Sequence, residues 1–375
     1  MESSGTPRLN AGFFVGPYGW PYLLTPFIPI AIALDLANAS AGIIFATSAA
    51  GIIPTAALMG RATEELAARS GPGIGGLLNV TFGNAPELII ALFALSEGLH
   101  EVVKASLIGS IIGNTLLVMG AAFFVGGIGR REQSFSRTGI SVQATMLLVA
   151  TTAMVMPGIF ELVEGKGLPS PDVERIAYGS TVEHLSLVVA VVLICVYIAG
   201  LVFSLRTHRD VYNPDYEDED AWGWSVRRSV MMLALAGIAV GVMSEVLVGS
   251  IAEASESIGL SEFFIGAIVV AIVGNAAEHW VAVLVARKDK MDLAVNIAIG
   301  SGAQIALFVT PVLVLCSFFI GPGPMPLVFN GFELAGVLFA VMIAHYVTAE
   351  GRSNWFEGVQ LLAVYLILAV AFYYA

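Results

Sequence analysis

Two short motifs carry carboxylates where carboxylates are expensive. Gly83-Asn84-Ala85-Pro86-Glu87 and Gly274-Asn275-Ala276-Ala277-Glu278 each lie inside a long apolar stretch of this 375-residue chain. A charge near the middle of an apolar membrane helix costs roughly 2.5–3.5 kcal/mol. The cost arises twice at equivalent positions, which points to function rather than to a protonated acid tying two helices together. In each motif the asparagine precedes the glutamate by three residues, so a carboxylate and an amide oxygen share one helix face. Two such faces set opposite one another form an all-oxygen cage. Hard cations want this: calcium takes about six to eight oxygens at roughly 2.3–2.6 Å. Gly83 and Gly274 let backbone approach the ion, and Pro86, which lacks an N–H and clashes with the carbonyl of Phe82, loosens its helix and frees carbonyls to act as ligands.

Further polar groups follow at matching depth: Ser110 and Asn114 after the first motif, Ser301 and Gln304 after the second. Each reads as an ion ligand or as a bond to a neighbouring helix, the commoner use of such residues in membranes. His279, beside Glu278, reads as a proton relay or a packing residue, and not as a ligand, because a hard ion gains little from imidazole. Glu64 and Glu253, near opposite membrane faces, are either cation-attracting mouths or ordinary helix-end charges, and Glu245, deeper in its helix, is a candidate proton carrier. Enzyme chemistry finds no support. His100-Glu101-Val102-Val103-Lys104 has Lys where a zinc protease needs its second His, and there is no phosphate-binding G-x-x-x-x-G-K-[ST]. The chain reads as a non-enzyme without a cofactor.

The elements that must position these groups are membrane helices. The chain is 57% apolar and only 12% charged, against about 45–50% and 25% in ordinary soluble domains. A span needs roughly 20 apolar residues. Eleven such stretches run over 20–36, 39–60, 73–95, 103–127, 138–160, 182–205, 229–249, 263–286, 293–320, 327–348 and 355–375. Pro21, Pro26 and Pro29 make the first the weakest, a short or tilted helix. Cys195 and Cys316 fall inside spans and act as small apolar groups. Residues before Trp20 lack the basic start and cleavage site of a secretory signal, so the first helix is expected to be retained.

With eleven spans, fourteen of the seventeen basic residues fall on one face, including Arg61, Arg130, Arg137, Arg228, Arg287 and Arg352, whereas Lys104, Lys166 and Arg175 fall on the other. Basic residues are retained in the cytoplasm. The N terminus is therefore expected inside and the C terminus outside. The net charge of −12 argues against a nucleic-acid partner, and the acidic run 215–220 reads as a solvated or cation-attracting linker.

The two motifs are offset by 191 residues, and the same offset carries Gly109-Ser110 onto Gly300-Ser301. Upstream, Leu58-x-Gly60-x-x-x-Glu64 matches Leu247-x-Gly249-x-x-x-Glu253 at 189. The expected organisation is an N-terminal segment with the first helix (1–38), a five-helix repeat (39–205), an acidic cytoplasmic linker (206–228) and a second five-helix repeat (229–375). Two successive five-helix units enter the membrane from opposite sides. Inverted repeats of this kind characterise secondary transporters that bind substrate near the midplane.

Together with the Glu64-Glu65-Leu66 segment and Gln304-Ile305-Ala306-Leu307, the motifs Gly83-Asn84-Ala85-Pro86-Glu87-Leu88-Ile89-Ile90-Ala91-Leu92 and Gly274-Asn275-Ala276-Ala277-Glu278-His279 resemble the two signature repeats of the calcium/proton antiporter branch of the cation/calcium exchanger superfamily. The resemblance spans nearly the whole chain. It implies an all-α polytopic fold, one leading helix plus two inverted five-helix halves, with Glu87 and Glu278 as cation-binding acids and alternating access between the sides. It also implies calcium and protons as substrates, with the natural ion among calcium, manganese and sodium left open, and the short N terminus without a long regulatory extension suggests a prokaryotic cytoplasmic membrane. Many members have Thr where this chain has Pro86, and proline there is reminiscent of sodium/calcium exchangers; Asn275 and His279 follow the proton-coupled pattern. Sodium coupling is the runner-up, ahead of a channel or a membrane scaffold.

Overall fold

A computed structural model describes residues 19–171, 177–207 and 223–375. The acidic run 215–220 and Arg8, Arg175 and Arg209 lie outside the described residues. Eleven helices follow in order: α1 (Phe27–Leu36, entered through a 3-10 turn Trp20–Leu24), α2 (Ala41–Phe82), α3 (Ala85–Ser96), α4 (His100–Gly127), α5 (Arg137–Val163), α6 (Ser180–Thr207), α7 (Val226–Ile258), α8 (Glu262–Arg287), α9 (Met291–Cys316), α10 (Gly331–Thr348) and α11 (Trp355–Tyr373). Among the described residues nine of them are long and apolar enough to cross a membrane, while the α1 region and α3 are apolar but shorter.

α2 is not straight, because a Cβ on Gly75 would overlap the carbonyl of Ala67. In a straight helix residues eight apart are about 12 Å from one another along the axis. The helix therefore bends sharply between them, where Gly71-Pro72-Gly73 stands in sequence.

α4 and α9 form the centre. Their apolar windows are 78% and 72% buried, against 22% for α6 and 17% for α11, whose exposed Val188, Val191, Leu366 and Ile367 present an apolar surface suited to lipid. Small residues set the crossings: a Cβ on Gly109 of α4 would overlap the carbonyl of Ala267 in α8, and one on Gly266 would come 2.9 Å from the carbonyl of Val102. Close backbone approach through glycine is how membrane helices gain packing without a hydrophobic drive between them. Gly109→Ala is accordingly expected to force α4 and α8 apart and destabilise the fold by about 1–3 kcal/mol, the usual cost of overpacking. A thermal melt in detergent indistinguishable from the parent would contradict that crossing.

α2 and α7 run antiparallel, with Gly42 beside Ser257, Gly51 beside Met243 and Gly237 beside Met59. α7 ends where Gly259 takes a left-handed φ of 76°. At one end of the bundle the strands β1 (Gln133–Ser134) and β2 (Arg352–Ser353) pair antiparallel, and Arg130 meets Asp289 at 3.5 Å. At the other end Lys104, completely buried, donates to Glu101 Oε1 at 2.6 Å and to the Val328 carbonyl at 2.8 Å. The His-Glu-x-x-Lys pattern of the sequence is thus an internal ion pair that pins the 325–330 segment ahead of α10. That segment was expected to begin the tenth span at 327; the helix itself starts at Gly331, capped by Asn330 and Glu333 in a reciprocal capping box.

Candidate cation-binding site

The first motif breaks its helix and the second does not. α2 ends at Phe82, and Asn84 caps α3 at φ −97°, ψ 20°, with Pro86 in the first turn. A proline is tolerated there because first-turn amides have no intrahelical acceptor. The loosening expected from Pro86 is therefore a complete interruption at Gly83-Asn84. Gly274 and Asn275 sit inside continuous α8, just after a π-helical segment Ile265–Val270. Two more π segments flank the site, Gly113–Val118 around Asn114 and Ile305–Val309 after Gln304. Such insertions recur at functional sites because they leave carbonyls without their usual i+4 partner.

The motifs meet. A Cβ on Gly274 would stand 3.4 Å from Cγ and 3.8 Å from Oε1 of Glu87, so the acid of one motif lies over the glycine of the other. Cross-repeat hydrogen bonds join the rest: Asn84 Nδ2 donates to Gln304 Oε1 (2.5 Å), Ser301 Oγ donates to Asn84 Oδ1 (3.0 Å), Asn114 Nδ2 donates to Ser301 Oγ (3.2 Å), and Asn275 Nδ2 donates to Ser110 Oγ (3.1 Å). Ser301 also reaches Glu278, and Glu87 feels the charge of Glu278. Glu87 Oε2 and Asn275 Oδ1 are buried and accept no hydrogen bond among the described residues. Buried oxygens left this way cost free energy unless something else satisfies them, and a cation is one such partner.

A cavity of about 400 Å³ leads to this cluster. It begins near the β1/β2 end, at Pro21, Arg61, Val285 and Leu293, and reaches Gly83, Glu87, Gly274, Glu278, Ser301 and Gln304. Beyond Glu87, a pocket of about 10 Å³ lies between Ile90, Ser106, Leu107, Ser110, Val270 and Ile305. The cavity thus reaches the acids from one end of the bundle, while Ile90, Leu107, Val270 and Ile305, with Ser106 and Ser110, pack around Glu87 on the other side.

The other expected residues divide. Glu64 lines the cavity mouth, as a role in drawing in cations requires. Glu253 is exposed near the opposite end of α7 and is not part of the cavity wall. Glu245 keeps its place near the middle of α7, but the expectation that it is buried there is corrected: its side chain is exposed, because the buried face passes through Met243, Ser244, Val246 and Leu247. His279 is not one of the residues that line the cavity, and its Nε2 is buried without a hydrogen bond among the described residues. Sequence reasoning missed Arg61, Tyr22, Asn296 and Trp280 in the cavity wall. Asn296 offered a signal, since it is a polar residue inside an apolar span, five residues before Ser301.

A family model described as sodium/calcium exchanger protein matches the chain twice, over residues 40–206 and 228–374. The chain is 44% identical over 374 residues to a Ca(2+)/H(+) antiporter of Synechocystis, covering 94% of this chain and 96% of that one. It is likewise 44% identical over 370 residues to the Ca(2+)/H(+) antiporter ChaA of Bacillus subtilis, covering 97% and 99%. Among solved structures, native YfkE superposes with a TM-score of 0.80 at 40% identity, covering 95% of this chain and 99% of that one.

Proposed function

The chain belongs to the sodium/calcium exchanger protein family, and on that footing we propose that it is a secondary transporter, not an enzyme, which exchanges a calcium ion for protons across a membrane. The observation that carries the reading is the meeting of the two motif acids in one cavity, with Glu87 lying across Gly274 and Glu278 beside Ser301. Calcium is the favoured ion because the cluster is all oxygen, with two carboxylates, amides and hydroxyls. Relatives named as Ca(2+)/H(+) antiporters at 44% identity over nearly full length favour protons over sodium as the counter-ion.

Mechanism follows from charge. Two bare carboxylates in a low-dielectric site are costly to carry across a membrane, so the site moves either with its cation or with protons in its place. Uncoupled leak is suppressed without any covalent step. Alternating access comes from the two inverted five-helix halves, 39–205 and 229–375, rocking about the shared site. The antiparallel pairing of α2 with α7 and the double family match support that division. Counter-ion-resolved calcium flux in proteoliposomes tests the reading: flux that needs no proton counter-flow overturns it.

The orientation has its own test. The basic residues at the β1/β2 end put that end, and the cavity mouth, in the cytoplasm, with the N terminus on the same side and the C terminus outside. In a protein whose Cys195 and Cys316 have been replaced, Arg131→Cys is expected to react only with reagent that reaches the cytoplasm. Pro322→Cys, at the opposite end, is expected to react only with external reagent. Labelling of both from one side would refute the odd number of crossings between them and, with it, the inversion.

A further inference from the structure

The cavity that would admit a cation already carries one. Arg61 lines it, with Nη2 2.9 Å from Glu65 Oε1 and Nη1 3.1 Å from Glu64 Oε2. The two acids are not equivalent. Glu65 is 2% exposed, and its second oxygen accepts the backbone N–H of Trp224 at 2.9 Å, where the second half of the chain enters α7. The ring of Trp224 is covered in turn by the guanidinium of Arg228 at 4.7 Å. Both oxygens of Glu65 are thus committed to protein. Glu64 is 48% exposed and lines the cavity, and Glu278 feels its charge.

We propose that Arg61 is a positioning residue for ion entry: anchored on Glu65, it holds Glu64 as a tethered placeholder that an incoming divalent cation displaces on its way to Glu87 and Glu278. This rests on the cation-exchange reading above. A half-exposed ion pair is weak, so a hard divalent ion takes the Glu64 carboxylate from the guanidinium readily. Arg61 cannot follow the ion, because its other amine stays on Glu65. Once the ion moves on to the deep acids, the guanidinium returns to Glu64 and removes the carboxylate that would otherwise pull the ion back. The planar fork of arginine serves two acids at once, which a lysine ammonium on a flexible stem does less well.

The test is the calcium dependence of initial exchange rate in everted and right-side-out membrane vesicles. Arg61→Gln is expected to lower the apparent KM for calcium about fivefold, the ratio that corresponds to a weak ion pair of about 1 kcal/mol, and to lower the maximal rate. The change appears only on the face where the cavity opens. Arg61→Lys gives a smaller shift, and Arg61→Gln adds nothing in a Glu64→Gln background. If Arg61→Gln strands Glu65 and fails to fold, Arg61→Gln with Glu65→Gln removes both charges and carries the same expectation. An unchanged KM, an equal change on both faces, or a shift that persists without the Glu64 carboxylate overturns the role of Arg61. Absence of proton-driven calcium flux in the unaltered protein is a different failure, of the exchange reading itself and the inference with it.

Discussion

Glu87→Gln and Glu278→Gln are each expected to reduce calcium flux to the background of protein-free vesicles while leaving a folded, monodisperse protein. Truncating one partner of a desolvated charged contact costs about 2–5 kcal/mol, which is on the order of thirtyfold to several-thousandfold in affinity. Glutamine keeps the shape and one oxygen but removes the charge that a divalent ion needs. The fold survives for the opposite reason: an uncharged amide relieves the repulsion between two acids that feel each other's charge and leaves the Asn84–Gln304 and Asn275–Ser110 bonds in place. Isotopic calcium uptake into proteoliposomes, run beside thermal melts and size exclusion, reads both quantities. Either variant retaining more than a small fraction of exchange would remove that acid from the centre of the mechanism. Loss of flux accompanied by loss of the folded peak would make the acid a structural residue.

The second large effect is the competition between calcium and protons. If Glu87 and Glu278 share one site, their titrations are coupled and the proton affinities belong to the pair. Each proton that must leave before calcium binds makes apparent affinity fall tenfold for every unit the pH drops, about 1.4 kcal/mol per proton. Two acids therefore give a fall of up to about a hundredfold per unit at pH values where both are protonated in the empty site, and no dependence where both are ionised. Lower pH weakens calcium binding; higher pH saturates it. In sodium-free proteoliposomes an imposed proton gradient is expected to drive calcium against its own gradient, and a calcium gradient to move protons the opposite way. A third proton carried on Glu245, the candidate proton carrier in the sequence, would make exchange respond to voltage. With Glu245 on the outer face of α7, the expected exchange is two protons for one calcium and electrically silent. Potassium-valinomycin potentials that leave the rate unchanged fit this stoichiometry, and a strong voltage response contradicts it. Calcium movement that requires sodium and ignores the proton gradient would hand the site to the runner-up.

The amino-acid sequence by itself determined that the chain is largely a bundle of apolar helices, where most of them lie, and that Glu87 and Glu278 are equivalent acids within them. The reasons are energetic and local. Each crossing needs a run of apolar residues that is visible without neighbours, and an acid in such a run is too costly to be incidental, least of all twice at one offset. What the tertiary structure alone decided is which side of each helix looks inward. A helix that is apolar all round has no polar face to betray its orientation, because lipid and protein interior are equally apolar. Glu245 and Glu64 therefore read alike as candidate pathway residues, yet one faces outward and the other lines the cavity. Arg61 was legible only as one more cytoplasmic positive charge, since its meaning lies in Glu65, whose second oxygen is taken by a residue 159 positions away. The break at Gly83-Asn84 was foreshadowed by Pro86. The π segments in α4, α8 and α9 carried no comparable mark in the sequence.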